Sequence, residues 1–314
     1  MSVFANLSPN LLIVIASIFG LLVLAQLIVF TLKKTKPTLD IEELSLRVRS
    51  WWIMVIIFIG ALVINPSLSV VFLALVSFLA LKEYFSMIPT RRADRRVLFW
   101  AYLAIPLQFY FAAIGWYGMF IIFIPVYMFL LIPARMIIGG DTQHFLQSAG
   151  TLHWGLMTTV YCLSHASYLL GMSVDTYLPA GNAGLLLYLI LLTQLNDVAQ
   201  YCWGKLLGRR KIVPLISPKK TTVGFFGGII TTTVVALALA TLLTPFSLFH
   251  AACLGVLISV AGFIGDVNIS AVKRDMGVKD TGTLLPGHGG ILDRVDSLTF
   301  TAPIYFHFLN YFYL

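Results

Sequence analysis

The chain has 314 residues, of which 59% are hydrophobic and 11% charged, with a mean hydropathy of +0.91 and a formal charge of +8. A soluble domain carries roughly 25% charged residues, so composition excludes an ordinary soluble enzyme and predicts an all-α, polytopic membrane protein. An ionisable side chain costs roughly 2.5–3.5 kcal/mol at the centre of an inserted helix, so each charge is expected outside the bilayer or at a functional position.

The first apolar run, Leu11 to Leu32, has no basic residue before it and is followed by Lys33, Lys34 and Lys36. A secretory signal shows the opposite charge order and a shorter apolar core, so this run reads as a retained helix. Nine further runs follow: Trp51–Ile64, Ser67–Leu81, Val97–Ile114, Trp116–Ala134, Leu152–Gly171, Ala183–Trp203, Val223–Leu243, Leu248–Gly265 and Leu298–Leu314. The second and third are short, about 22 Å each at helical rise, and only Asn65-Pro66 divides them. They are expected either to cross separately or to form a re-entrant hairpin, giving eight to ten spans.

With ten spans, the loops at 33–50, 82–96, 135–151, 204–222 and 266–297 hold all 21 basic residues, and the opposite loops and both termini hold none. Positive loops stay cytoplasmic, so both termini are predicted to face away from the cytoplasm. The net charge is this signal summed, with stripes such as Arg91-Arg92 and Arg95-Arg96 set against anionic headgroups. Nothing resembles a base-reading module, so nucleic acid is not an expected partner. Cys162, Cys202 and Cys253 fall in apolar runs without metal-ligand spacing and read as small buried hydrophobes.

The carboxylates depart from this simple picture. Asp266, Asp275, Asp280, Asp293 and Asp296 crowd the last basic loop, and Asp197 lies inside the seventh span. If the ninth span continues as helix past Asp266, then Ser270, Lys273 and Arg274 share its face. Asp293 and Asp296, three apart, are expected to share a face entering the last span. Between them Gly287, Gly289 and Gly290, with Pro286, break any helix and let backbone N–H groups approach a ligand. Two oxygen-rich helix ends around a glycine turn suit a hard cation, and Mg²⁺ characteristically takes one or two carboxylates plus phosphate oxygens and water. Lys273, Arg274, Lys279 and Arg294 are candidate clamps for anionic oxygens. These are ingredients of phosphoryl or nucleotidyl transfer, in which positioning and charge neutralisation dominate. A salt-bridged headgroup loop is the bland alternative.

Two further segments join them. Lys205 and Arg209–Lys211 precede Ser217-Pro218-Lys219-Lys220-Thr221, then Gly224, Gly227 and Gly228, which makes either an anion cradle or a basic anchor for two helices. It is not a P-loop pattern. Asn196-Asp197, with Tyr201 and Lys205 at helical spacing, forms a polar ladder that either lines a polar cavity or makes structural hydrogen bonds. His144, His153, His165, His250 and His307 form no metal pair. His288, flanked by glycines, is a candidate to bind phosphate, to orient a metal ligand or to make a structural hydrogen bond.

The run Ser270-Ala271-Val272-Lys273-Arg274, Lys279-Asp280, Gly282, Leu285-Pro286, His288-Gly289-Gly290-Ile291 and Asp293-Arg294-Val295-Asp296 resembles the signature of the phosphatidate cytidylyltransferase (CDP-diacylglycerol synthase) family. Asp197, Tyr201, Gly204, Gly208, Ser217–Thr221 and Gly224 are similar too, so the likeness covers about the C-terminal 120 residues. It implies that residues 151–314 form the catalytic membrane region, with loops 204–222 and 266–297, while 1–150 contribute membrane helices of weaker likeness. It further implies the reaction of CTP with phosphatidate to give CDP-diacylglycerol and pyrophosphate, with Mg²⁺ at Asp266 and Asp293 and basic residues on the phosphates. A homodimer in a bacterial inner membrane, with the site facing the cytoplasm, is part of the same implication. The lipid phosphate is already ionised near neutral pH, so no activated Ser or Cys nucleophile is expected. Three positions depart from the pattern: Val223 and Ile269 stand where Glu is usual, and Gln200 stands where a small residue is usual. These leave open a paralogue using another lipid phosphate acceptor. A CTP-dependent kinase of a lipid alcohol and a non-catalytic transporter or scaffold are the remaining alternatives.

Overall fold

Every apolar run becomes helix, because an unpaired N–H or C=O in hydrocarbon costs several kcal/mol and a helix pairs them internally. The computed structural model describes residues 7–35, 42–89, 91, 95–140, 142–173, 176–282 and 289–314. Helix α1 spans Pro9–Thr35, α2 Glu42–Ile64, α3 Pro66–Met87, α4 Arg95–Ala113 and α5 Tyr117–Ile137. Helix α6 covers 145–171 and includes the π-helical segment Met157–Cys162. Then come α7 Gly181–Leu207, α8 Thr222–Leu243, α9 Leu248–Asp275, the single turn α10 Leu292–Val295 and α11 Leu298–Tyr313. The described residues form no strand; Lys211 and Thr221 make one isolated antiparallel bridge.

Among the described residues, eight helices are individually long and apolar enough to cross a membrane: α1 to α5 and α7 to α9. Helices α2 and α3 are each long and apolar enough to cross separately, the first of the two expectations. They have 23 and 22 residues, about 33–34 Å at helical rise against a hydrocarbon core of about 30 Å. The apolar runs understated them because each helix continues into its charged end, through Arg47 and Arg49 in α2 and Lys82-Glu83 in α3. Between them Asn65 caps α3 by accepting from the Ser67 N–H at 2.8 Å, and Pro66 occupies the first turn, where its missing N–H costs nothing.

Without a hydrophobic drive between helices in lipid, packing relies on small residues and interhelical hydrogen bonds. Helix α8 lies on α7 through such contacts: a Cβ at Gly224 would stand 2.6 Å from the Gln200 carbonyl oxygen, and one at Gly228 would stand 2.5 Å from Gln200 Cγ. Gly265 brings α9 onto the chain entering α11, where a Cβ would be 2.6 Å from the Asp296 carbonyl oxygen. Asn196, fully buried, joins three helices: its Oδ1 accepts from Ser259 Oγ at 2.5 Å and Thr232 Oγ1 at 3.3 Å, and its Nδ2 donates to the Ser259 carbonyl at 3.2 Å. Helix α3 is fastened to α6 by Ser77 Oγ on the Thr159 carbonyl at 2.6 Å and Tyr84 Oη on the Thr151 carbonyl at 3.0 Å. That fixes the charged end of α3 beside the last loop.

Candidate active site

The charged ends of α3, α7, α8, α9 and α10 converge into two linked networks. Helix α9 runs unbroken past Asp266 to Asp275, so the expected face of Asp266, Ser270 and Lys273 exists. Ser270 Oγ donates to Asp266 Oδ1 at 3.2 Å, and Lys220 Nζ lies 2.5 Å from Asp266 Oδ2. Lys220 also donates to Gln200 Oε1 at 3.2 Å and stands 5.6 Å from the centre of the Phe263 ring. Burial works against its ammonium, but Asp266 and Asp197 outweigh burial and hold its pKa above the ordinary lysine value. Asp197 accepts from Ser297 Oγ at 3.0 Å, and Asp296 accepts from the Ser297 N–H at 2.7 Å. Burial first, then the charges of Asp266 and Asp197, push the Asp296 carboxyl well above the ordinary range. Asp197, Asp266 and Asp296 thus share one field with Lys220 and Arg294.

The second network centres on Asp293. Its Oδ1 accepts from Lys273 Nζ at 2.6 Å; its Oδ2 accepts from the Thr281 N–H at 2.9 Å, Thr281 Oγ1 at 3.0 Å and the Gly290 N–H at 3.1 Å. Burial would raise its pKa, but Lys273 and the two backbone donors prevail and set it below the ordinary value. Gly289 has φ +80, and a Cβ there would stand 2.7 Å from Asp293 Oδ2, so the turn needs glycine for both conformation and room. Asp293 and Asp296, three apart in the chain, therefore serve different networks. Helix α10 is a single turn, and Asp293 is drawn to Lys273 and the glycine turn, while Asp296 accepts from the Ser297 N–H and lies in the field of Asp266 and Asp197.

Glu83 at the end of α3 completes this turn and was not a candidate from sequence. Its carboxylate accepts from the Ile291 N–H at 2.9 Å and the Leu292 N–H at 2.8 Å, and lies 2.9 Å from Thr281 Oγ1, whose single proton it shares with Asp293. It satisfies first-turn donors of α10 much as a capping carboxylate does. A Cβ at Gly290 would collide with Glu83 and Thr281. The only sequence signal was a charged pair, Lys82-Glu83, at the end of an apolar run.

The remaining candidates are distributed around these networks. Arg274 braces the loop before α8, with Nε on the Ile216 carbonyl and Nη1 on the Val278 carbonyl, both 3.2 Å. Thr221 caps α8 by accepting from the Gly224 N–H at 3.1 Å. Ser217 is half-buried in the turn whose carbonyl accepts the Lys220 N–H at 3.2 Å, and Lys219 is exposed. Tyr201 and Lys205 are exposed, with Lys205 Nζ 5.8 Å from the Tyr201 ring centre. Lys279 and Asp280 are exposed as well. Arg294 gives its carbonyl to Gln194 Nε2 at 3.2 Å, and its Nε is buried without a partner among the described residues. The buried Nε2 of Gln200 also lacks a partner among the described residues. His288, Leu285 and Pro286 lie outside the described residues. Of the departures, Gln200 reaches Lys220, Ile269 is buried in the core and Val223 is exposed.

Among the described residues, no three His, Cys, Asp or Glu side chains form a ready-made metal site. The donors that do converge are carboxylate oxygens beside lysine and arginine, a set suited to polyanionic substrates.

Fold and site together define a polytopic helical membrane enzyme with an acidic and basic site at one end of its bundle. The chain belongs to the cytidylyltransferase family, whose profile matches residues 45–312, and it is a nucleotidyltransferase. It is 44% identical to Escherichia coli (strain K12) "Uncharacterized protein YnbB" over 298 residues, covering 95% of this chain and 97% of that one. It is 39% identical to the phosphatidate cytidylyltransferase of Staphylococcus aureus (strain COL) over 155 residues, 48% of this chain and 59% of that protein. The Staphylococcus epidermidis (strain ATCC 12228) phosphatidate cytidylyltransferase is 36% identical over 154 residues.

Proposed function

We propose that this protein transfers the cytidylyl group of CTP to phosphatidate, or to a closely similar lipid phosphate, releasing pyrophosphate and forming a CDP-lipid. The observation that carries this reading is the convergence of Lys220, Arg294, Asp197, Asp266 and Asp296 at the end of a membrane bundle. Such a site accepts a polyanion from water on one side and a lipid headgroup on the other. A lipid phosphate oxygen attacks the α-phosphorus of CTP; the bond from that phosphorus to the bridging oxygen breaks, and pyrophosphate leaves. The attacking group is already ionised near neutral pH, so the protein's work is to hold and neutralise charge. Lys220, fixed between Asp266 and Gln200, and Arg294, with a donor to spare, face this charge. Lys273 has a different part: paired with Asp293, it keeps the glycine turn and its Gly290 amide in place.

The donor set fits Mg²⁺, a hard cation that uses one or two carboxylates and completes its shell with phosphate and water. Asp266 would hold it, with Asp296 or Asp197 beside it; Asp293 would have to exchange one of its four bonds to contribute. Bound there, the ion supplies further neutralisation of the phosphates. The same reading puts the charged end in the cytoplasm of a bacterial cell, at the inner membrane, and leaves a homodimer as the expected assembly.

The test uses purified protein in detergent with CTP labelled at the α-phosphate, Mg²⁺ and phosphatidate. Labelled CDP-lipid from the wild type, with at least about a hundredfold loss in Asp266→Asn, supports the reading. Release of CDP with no labelled lipid would instead favour a CTP-dependent lipid kinase. Equal activity in the variant would overturn the role of Asp266.

A further inference from the structure

A crevice of about 330 Å³ runs along the flank of the bundle between α1, α2 and α7. Its walls are aliphatic and aromatic, with Ile18, Val55, Phe58 and Leu191 among them, and its only polar side chains are Gln194 and the Trp51 indole. Along α7 it extends from Leu187 to Val198, about 17 Å at helical rise, parallel to the helix. One end reaches the site. Gln194, which lines the crevice, donates to the Arg294 carbonyl. Arg294 is the residue whose buried Nε has no partner, and its charge acts on Asp197 and Asp296.

We propose that this crevice seats one acyl chain of the lipid phosphate acceptor, with its headgroup at Arg294 and Asp197. The proposal rests on the reading that the acceptor is a lipid phosphate. A chain lying along α7 runs parallel to a membrane-crossing helix, as a bilayer lipid does, and its phosphate then meets the charged cluster at the helix end. The long apolar wall, polar only where the headgroup would sit, matches that one amphiphile. Because lipid tails are as apolar as the crevice, little binding energy is gained on entry. The seat's value lies in orientation: it fixes the depth and direction from which the phosphate approaches CTP.

The test compares dioleoyl phosphatidate with dihexanoyl phosphatidate in mixed micelles for wild type, Leu191→Trp and Val55→Trp. Filling the crevice should lower kcat/KM for the dioleoyl acceptor about fivefold or more, while the dihexanoyl acceptor and the KM for CTP stay unchanged. In parallel, a phosphatidate carrying an acyl diazirine should label residues of α7 and α2 lining the crevice, and excess dioleoyl phosphatidate should compete. Unchanged chain preference in active variants, together with labelling elsewhere, overturns the proposal. Disulfide-linked dimers formed efficiently by Leu21→Cys would also overturn it, by showing that a second copy covers the crevice. If the wild type makes no CDP-lipid, the proposed reaction fails, and competed labelling still reports separately on the seat.

Discussion

Glu83 holds three donors of a turn that lies about two hundred residues away in the chain, so its removal should be felt there first. Glu83→Ala strands the Ile291 and Leu292 amides, while the Thr281 hydroxyl keeps Asp293 as its acceptor. Leaving buried donors unpaired costs about 1–3 kcal/mol each at most, so a loss on the order of 3 kcal/mol is expected, read as a lower melting temperature in detergent and weak activity. Glu83→Gln should rescue only in part, since one amide oxygen replaces two acceptors. Gln200 offers a subtler case. It is one of the fixed supports of the Lys220 ammonium, and hydrogen bonds to charged groups contribute about 1.5–3 kcal/mol. Gln200→Ala should lower kcat/KM about tenfold with little change in melting temperature, measured by steady-state assay and thermal unfolding. Asp293 adds a dependence on pH. Its folded pKa lies below the ordinary value, so its stabilisation is present above the unfolded carboxylate pKa and is lost as pH falls through the folded one. The wild-type melting temperature should therefore fall on acidification more steeply than that of Asp293→Asn.

Helices meet closely in this protein where glycine allows it, and the glycines divide into two kinds. At Gly224 a Cβ would press on the Gln200 carbonyl, Thr221 Oγ1 and Gly204 Cα, whereas at Gly20 no atom lies within 4 Å. Gly224→Leu should separate α8 from α7 and abolish folding or activity; Gly20→Leu should leave both near wild type, as judged by gel filtration and assay. Much of this level was legible in the sequence: apolar runs marked every helix but the single turn α10, and the positions of Asp266, Ser270 and Lys273 predicted a shared face that α9 provides. The missing parts depended on long-range contacts. Helical spacing could not show that Asp293 and Asp296 serve different networks, because the groups that act on them, Lys273 on the one and Asp266 and Asp197 on the other, come from other helices. Nor could it show that Asn196 is committed to Thr232 and Ser259, or that α3 supplies a carboxylate to the last loop. Hydropathy marks where a helix lies in the chain, and packing decides what its polar residues touch.

The distribution of charge over the whole molecule makes a claim that no single contact does. All 21 Lys and Arg residues fall in the segments 33–50, 82–96, 135–151, 204–222 and 266–297, which the span pattern puts at one end together with Asp266 and Asp296. Orientation follows basic loops within short reach of the membrane, so this end should face the cytoplasm, where the proposed nucleotide substrate is supplied. In a background with Cys162, Cys202 and Cys253 replaced by serine, a single cysteine at exposed Arg209 should react with a membrane-impermeant maleimide only in inverted vesicles. A single cysteine at Tyr177, 81% exposed at the other end, should react only in right-side-out vesicles. The reverse pattern would put the site outside the cell and remove the nucleotide from its reach. Labelling of both positions from both sides would indicate mixed insertion, which an asymmetry this complete argues against.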